Sequence, residues 1–232
     1  MSVTTERRGP VLLVQMDDGR VNVVTRELCQ QLTEAVRQAE ADDDVKALVL
    51  SGRPGKFCAG FDLNVVRGGD VQAIRDLCAD GAMLVHTLYS AKVPVVVACT
   101  GHALAMGTMV VLGGDVRIGP DDDSKLGMTE LAIGMSLPKW AITILKERMA
   151  PQHVQRALMT ARVYRPAEAV EVGYLDEVVA PDAVLDRAIE VATELAETID
   201  LKGREITLQL VRGAMLDQLA ADAEAFRVGG SL

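Results

Sequence analysis

Two segments of the chain each run from a short apolar strand into a turn that carries glycine, and this repetition constrains the fold most. In the first, residues 46–51 predict a buried strand and the following turn carries Gly60. In the second, residues 94–98 predict a strand that leads through Gly101 and Gly107 into an apolar helical run. Glycine allows a positive φ or a close backbone approach at a strand end, and a helix N-terminus presents unpaired N–H groups. Either turn alone is most simply a tight turn, but the pair predicts two N–H donors directed at one anionic oxygen.

Composition and charge exclude several classes of function. The 232 residues are 49% hydrophobic and 25% charged, which is typical of a single globular domain. The net charge of −9, with acids spread along the chain, argues against nucleic-acid binding. No apolar run reaches the roughly 20 residues that span a bilayer, and the N-terminus lacks the apolar core of a signal peptide. We therefore expect a cytoplasmic protein without a membrane span.

The cysteines and histidines do not predict a metal site. The cysteines lack zinc-like spacing and are expected to be buried thiols in a reducing compartment. They are Cys29, Cys58, Cys78 and Cys99. No cluster of His, Cys and Asp has the spacing of metal ligands, so no metal is expected.

The hydrophobic pattern predicts alternating strands and helices. Strands are predicted at 11–16, 46–51, 94–98, 115–118 and 175–179. Helices are predicted after the caps Thr25 and Asp70, at 105–113, 140–149, 154–160 and 167–171, and from 181 to 226. This alternation indicates the α/β class without choosing among its arrangements. Residues 228–232 are expected to form a frayed end.

Four motifs resemble, in order and spacing, the signatures of the enoyl-CoA hydratase/isomerase (crotonase) family. They are Phe-Cys-Ala-Gly-Phe-Asp-Leu at 57–63, the glycine-rich segment 93–107, residues 126–134 followed by Leu-Pro at 137–138, and a helix-turn-strand at 164–179. The resemblance covers residues 10–227. It implies the crotonase (ClpP-like) ββα spiral, with a core at 1–180 and a helical C-terminal region of the same domain at 181–232.

The resemblance also implies which groups carry the chemistry. The backbone N–H groups of Phe61 and Met106 would form an oxyanion hole, with Gly107 as the donor if the register lies one residue later. Glu130 would move protons, and its apolar neighbours would raise its proton affinity. From the local sequence alone, Glu130 is equally an exposed loop residue.

The residue at position 109 favours one of the reactions that the resemblance implies. The hydratases of the family use two glutamates to hold a water, and the first of these positions falls on Met109. A thioether cannot act as an acid or a base. One carboxylate can instead move a proton from C2 to C4 of a 3-enoyl-CoA in a dry site. The pattern is most similar to Δ3,Δ2-enoyl-CoA isomerases of fatty acid β-oxidation, which share the Pro-x-Trp found here at Pro138 and Trp140.

The resemblance further implies an acyl-CoA thioester substrate, no separate cofactor, and a homotrimer or dimer of trimers. The residues implied to contact CoA or the acyl chain are Arg20, Val21, Ala59, Gly60, Asp62, Leu63, Gly107, Met109 and Trp140. Asn22 is expected to shape the first turn, and Asp62 is equally a helix N-cap. The methionines at 106, 109, 128 and 135 are expected around the pocket, either lining it or filling the core.

Two rival hypotheses stay open from the sequence. Hydration of a 2-enoyl-CoA, or thioester hydrolysis, needs a second group beside Glu130, for which Asp70 and Asp80 are candidates. The other rival is a non-catalytic acyl-CoA binder, motivated by Met106 and Met109. Such a binder would be indifferent to the substitution Glu130→Gln.

Overall fold

Strands and helices alternate in the computed structural model, which describes residues 2–229. The strands are β1 (Ser2–Arg8), β2 (Val11–Asp17), β3 (Val23–Val24), β4 (Ala47–Ser51), β5 (Gly55–Cys58), β6 (Gly60–Phe61), β7 (Val95–Ala98), β8 (Gly101–Leu104), β9 (Val116–Pro120), β10 (Leu126–Gly127) and β11 (Glu177–Val179). The helices are α1 (Arg26–Ala41), α2 (Leu63–Val66), α3 (Val71–Tyr89), α4 (Met106–Leu112), α5 (Lys139–Arg148), α6 (Pro151–Met159), α7 (Pro166–Val172), α8 (Val184–Thr198) and α9 (Leu201–Arg227). Short 3-10 turns lie at Glu130–Ile133 and Pro181–Ala183.

The largest sheet has the strand order β1-β2-β4-β7-β9-β11. Its strands pair in parallel except for β1, which runs antiparallel to β2. Every residue of β4 and β7 is buried. Central strands of a parallel sheet are covered on both faces, which explains why these two are continuous apolar runs in the sequence.

The large sheet separates two apolar cores. Side chains alternate between the two faces of a strand, so Ala47 and Val49 pack in the core that α8 covers. Leu48 and Leu50 point into the larger core, which includes residues of α1, α3 and α4. The functional elements described below all border this larger core.

A unit of two strands and a helix repeats along the chain. After each of the strands β2, β4, β7 and β9, the chain leaves the large sheet. It then forms a short strand in a smaller sheet and afterwards a helical segment. The small sheets are β10-β8-β5 and β3-β6. This repetition confirms the ββα spiral, which periodicity alone did not predict.

Most predicted elements are present, and the helix caps are confirmed. Thr25 accepts a hydrogen bond from the Leu28 N–H at 3.1 Å, and Asp70 caps α3. The continuous helix predicted over 181–226 is interrupted, because Ile199 is extended and Asp200 caps α9 anew. β1 was not predicted, because its polar sequence at the sheet edge lacks an alternating pattern.

Backbone hydrogen bonds hold the residues that follow α9. Val228 and Gly229 donate hydrogen bonds to carbonyls of the last turn of α9, and the rest of the predicted frayed end, 230–232, lies outside the described residues.

All four cysteines are buried free thiols, as predicted. Within residues 2–229, no helix is long and apolar enough to cross a membrane.

Helix α4 touches strand β5 so closely that only glycine fits at one contact. A Cβ added to Gly107 would lie 2.1 Å from the carbonyl oxygen of Cys58, and real Cβ atoms essentially never come within 3.0 Å of such a neighbour. The Cys58 backbone belongs to a strand that is paired with β8, so it cannot move away cheaply. Gly107 is therefore required for the close packing of α4 against β5.

The substitution Gly107→Ala is expected to lower the free energy of unfolding by about 3 kcal/mol, because the added methyl overlaps backbone atoms. Gly203→Ala is the matched control, since Gly203 is exposed on α9 and an added Cβ would meet only the Asp200 carboxyl at 3.2 Å. The control should be neutral or stabilising by up to about 1 kcal/mol. Urea unfolding followed by circular dichroism measures both variants, and equal stabilities would contradict the packing role.

Candidate active site

A cavity of about 280 Å³ lies where α3, α4, α5 and the end of α9 converge. Five of the predicted site residues line it: Phe61, Met106, Met109, Glu130 and Trp140. The other lining residues are Ile74, Cys78, Met128, Gly134, Met135, Ser136, Pro138, Ala141 and Phe226. The wall is thus predominantly apolar, which suits an acyl chain.

The two glycine-bearing turns meet at this cavity, as the sequence predicts. Gly60 has a φ of +99°. A Cβ on Gly60 would lie 3.0 Å from the Leu104 carbonyl oxygen and 3.5 Å from the Met106 backbone nitrogen. The end of β6 and the start of α4 are therefore in direct contact.

The strand pairing of β6 orients the backbone at Phe61. The Asp62 N–H donates to the Val24 carbonyl at 3.1 Å, which ties it to β3. Successive N–H groups of an extended strand point in opposite directions, so the Phe61 N–H is directed away from β3. It belongs to a residue that lines the cavity.

An unusual backbone conformation at Ala105 begins α4. Ala105 has φ 52° and ψ −121°, and its side chain makes no capping hydrogen bond. Few residues other than glycine adopt this region, and such strain concentrates at functional sites. The turn is held because the Ala105 N–H donates to the Gly127 carbonyl at 2.9 Å. Met106 then occupies the first position of the helix, where a backbone N–H has no partner within the helix.

Glu130 opens the 3-10 turn Glu130–Ile133 and is half-buried beside the methionines. Its Oε2 atom is buried and has no hydrogen-bond partner among residues 2–229. Burial is the largest influence and raises the pKa of Glu130, while backbone hydrogen bonds at Glu130 and Thr129 lower it. The interpretation of Glu130 as an exposed loop residue is therefore wrong.

The apolar surroundings of Glu130 come partly from its sequence neighbours, such as Met128, and partly from α4. Leu131 and Ile133, which follow it, are 40% and 51% exposed. The cavity instead brings the methionines at 106, 109, 128 and 135 around the carboxylate, which confirms their predicted gathering. On α3, burial first and the Glu130 charge second raise the pKa of Cys78 to about 12, so this thiol stays neutral.

The residues predicted to contact CoA fall into two groups. Met109 and Trp140 line the cavity, whereas Arg20, Val21, Ala59, Gly60, Asp62, Leu63 and Gly107 do not. The Ala59 N–H already donates to the carbonyls of Val21 and Asn22. Asp62 accepts a hydrogen bond from the Asn64 N–H at 2.9 Å, which confirms that it is the N-cap of α2. Binding of CoA by this second group stays a prediction.

The predicted role of Asn22 in the first turn is confirmed. Asn22 is buried with φ 55°, and its side-chain amide donates to the carbonyls of Met16 and Phe57 at 3.0 Å. Its Oδ1 atom accepts the Asp18 N–H at 2.9 Å. This side chain joins the loop before β3 to β5, next to the segment that carries Phe61.

The two aspartates considered as a second acid serve other purposes. Asp70 accepts hydrogen bonds from two N–H groups at the start of α3. Asp80 pairs with Arg26 at 2.6 Å and with Arg227 at 2.7 Å. Glu130 is the only carboxylate among the described residues that line the cavity. Across residues 2–229, no three His, Cys, Asp or Glu side chains form a candidate metal site.

Comparison with known proteins identifies the family. The family model described as "Enoyl-CoA hydratase/isomerase" matches residues 6–227, so the chain belongs to the enoyl-CoA hydratase/isomerase family. Mouse (Mus musculus) "Enoyl-CoA delta isomerase 1, mitochondrial" is 28% identical over 227 residues, which cover 96% of this chain and 78% of that protein. This family consists of enzymes that act on acyl-CoA thioesters.

Solved structures of hydratases and isomerases share the fold. An enoyl-CoA hydratase from Mycobacterium ulcerans has a TM-score of 0.92 at 34% identity, covering 97% of this chain and 98% of that chain. Human mitochondrial delta3-delta2-enoyl-CoA isomerase has a TM-score of 0.89 at 27% identity, covering 97% of this chain and 90% of that chain. Both activities are named among these relatives, so membership of the family does not select the reaction.

The buried carboxyl predicts a pH dependence of stability. Because the pKa of Glu130 is raised on folding from its ordinary value of 4.5, ionisation costs the folded state more than the unfolded state. The free energy of unfolding should therefore fall for the wild type, relative to Glu130→Gln, as pH rises through the raised pKa. Urea unfolding from about pH 4, below the ordinary pKa of 4.5, to about pH 8 measures this difference.

Glu171→Gln is the control for this comparison, since Glu171 is exposed on α7. Its stability should follow that of the wild type across the pH range. A constant difference between the wild type and Glu130→Gln would contradict the burial of an ionisable Glu130 carboxyl.

Proposed function

We propose that the protein shifts the double bond of a 3-enoyl-CoA to give the 2-enoyl-CoA, with Glu130 as the single proton shuttle. The observation that carries this proposal is an apolar cavity with one carboxylate in its described wall. Isomerisation needs no added water and one group that both takes and returns a proton. The site supplies that group in its carboxylate.

In the first step, the ionised Glu130 carboxylate removes a proton from C2 of the substrate. The electron pair of the broken C–H bond forms a bond from C2 to C1, and the thioester oxygen gains the negative charge. The backbone N–H groups of Phe61 and Met106 donate hydrogen bonds to this oxygen. Loss of one such donor in an oxyanion hole typically costs about 3 kcal/mol of transition-state stabilisation.

In the second step, the protonated Glu130 returns the proton to C4. The C3–C4 double bond supplies the electrons for the new C–H bond, and the enolate electrons form the C2–C3 double bond. The carboxylate is regenerated and atoms balance without a co-reactant. The raised pKa of Glu130 assists the first transfer, because it makes the carboxylate a stronger base toward the C2 proton.

The position of Met109 supports isomerisation over hydration. Met109 is 1% exposed and lines the cavity. It occupies the position where, by the family resemblance, a hydratase would carry a second carboxylate. A hydratase must hold a water against the substrate, and thioethers are poor hydrogen-bond partners for water. The same apolar wall keeps water from capturing the intermediate.

The substitution Glu130→Gln should lower kcat for trans-3-enoyl-CoA by about 10² to 10⁴, the usual contribution of general acid–base catalysis. The amide keeps the shape of the side chain, so binding of the CoA ester should change little. Absorbance at the wavelength of the conjugated 2-enoyl thioester measures turnover, and calorimetry measures binding. Glu171→Gln serves again as the control and should retain wild-type kcat.

Supplying trans-2-enoyl-CoA in a separate assay distinguishes the rival functions. Loss of the conjugated absorbance with formation of a 3-hydroxyacyl-CoA would replace the proposal by hydration, and release of free CoA would replace it by hydrolysis. Tight binding of both esters without turnover, unaffected by Glu130→Gln, would identify a non-catalytic acyl-CoA binder. Each of these outcomes contradicts the isomerase proposal.

A further inference from the structure

A residue of the C-terminal helix forms part of the cavity wall. Phe226, on the last turn of α9, lines the cavity together with Ile74 of α3 and Trp140 of α5. Phe226 is half-buried and packs against the larger core. Among the described residues of α9, it is the one that lines the cavity.

A buried charge fixes the helix turn before Phe226 to α5. The Asp222 side chain is 6% exposed, and its Oδ1 lies 2.7 Å from the Lys139 ammonium nitrogen. Its Oδ2 accepts a hydrogen bond from the Thr143 hydroxyl at 3.3 Å. Residues four apart lie on one face of a helix, so this clamp holds α9 directly beside Phe226.

A second set of charges fixes the residue after Phe226 to α3. Arg227 lies 2.7 Å from Asp80 and 3.6 Å from Asp76. Arg26 of α1 pairs with the same two aspartates at 2.6 and 3.3 Å. Ion pairs that form a network resist separation better than isolated pairs. Phe226 is thus held between a clamp on α5 and a clamp on α3.

The volume of the cavity gives a measure of the acyl chain that fits inside it. A dry cavity of about 150 Å³ accommodates benzene, which has six carbons. By that measure the 280 Å³ cavity accommodates about eleven carbons. The space includes the region beside Glu130 where the first four carbons would react.

We propose that Phe226 is the end stop of the acyl-binding cavity and limits the substrates to chains of about ten carbons or fewer. This inference rests on the proposed function, because it treats the cavity as the site of a 3-enoyl chain. It names the substrate class as short- and medium-chain enoyl-CoA esters. The limit is a property of the clamped position of α9 and not of Glu130.

The test is a chain-length series of trans-3-enoyl-CoA esters with six to fourteen carbons. In the wild type, kcat/KM should fall at least tenfold between ten and fourteen carbons, since a single misfitting methylene in a pocket costs roughly tenfold or more. Phe226→Ala should reduce that fall to less than about threefold. Arg227→Gln, which weakens the clamp on α3, should give an intermediate profile.

Leu210→Ala is the matched control, because Leu210 lies on the same helix, is 84% exposed and does not line the cavity. Its chain-length profile should equal that of the wild type. Phe226→Leu replaces Phe226→Ala if the smaller side chain unfolds the protein, and it should relieve the limit in part. A wild type equally active on fourteen carbons, or a Phe226 variant with the wild-type profile, would overturn the proposal.

Binding of saturated acyl-CoA esters separates this inference from the proposed reaction. Calorimetry should show affinity that falls beyond about ten carbons in the wild type and does not fall in Phe226→Ala. If binding shows this chain-length limit but no ester is turned over, Phe226 is still the end stop and the isomerase proposal is wrong. Turnover without a limit would reject the end stop alone.

Discussion

The contact between two backbone turns is the constraint on which the site depends. Gly60 in β6 touches the segment that starts α4, and Gly107 in α4 rests against the carbonyl of Cys58. At Gly107 a larger residue would overlap backbone atoms, and at Gly60 the positive φ of +99° disfavours a side chain. Together they place Phe61 and Met106 on the same cavity, across the join between two successive ββα units.

The chemistry that we propose follows from placing one charge in an apolar space. An unpartnered carboxylate oxygen in such a space is costly when ionised, and that cost raises the pKa of Glu130. The same property makes the carboxyl a better base for a carbon-bound proton. The strained turn at Ala105, with its positive φ, is a second feature beside the cavity that costs folding free energy. Among the described residues, the clamped helix α9 contributes Phe226 to the cavity wall and no carboxylate.

The elements whose signals lie within a few residues of the sequence were the most predictable. The buried runs of β4 and β7, the cap of α1 and the two glycine turns all carry their signals within a few residues. The ββα spiral was predicted only through the resemblance to a family, and the order of strands in the small sheets was not predicted. Phe226 was missed, because nothing near it in the sequence indicates that α9 returns to α3 and α5. Leu131 and Ile133 were misleading, since these two neighbours of Glu130 are exposed in the fold, whereas Met128 lines the cavity.

The central claim is that one group carries one proton from C2 to C4 of the substrate. The most direct measurement follows deuterium during a single turnover of a 3-enoyl-CoA that is deuterated at C2, with the product analysed by NMR. The 2-enoyl-CoA product is expected to carry the transferred deuterium at C4, because Glu130 is shielded from water while the intermediate exists. A product in which the hydrogen added at C4 comes from solvent, or a 3-hydroxyacyl-CoA, would contradict the proposed mechanism.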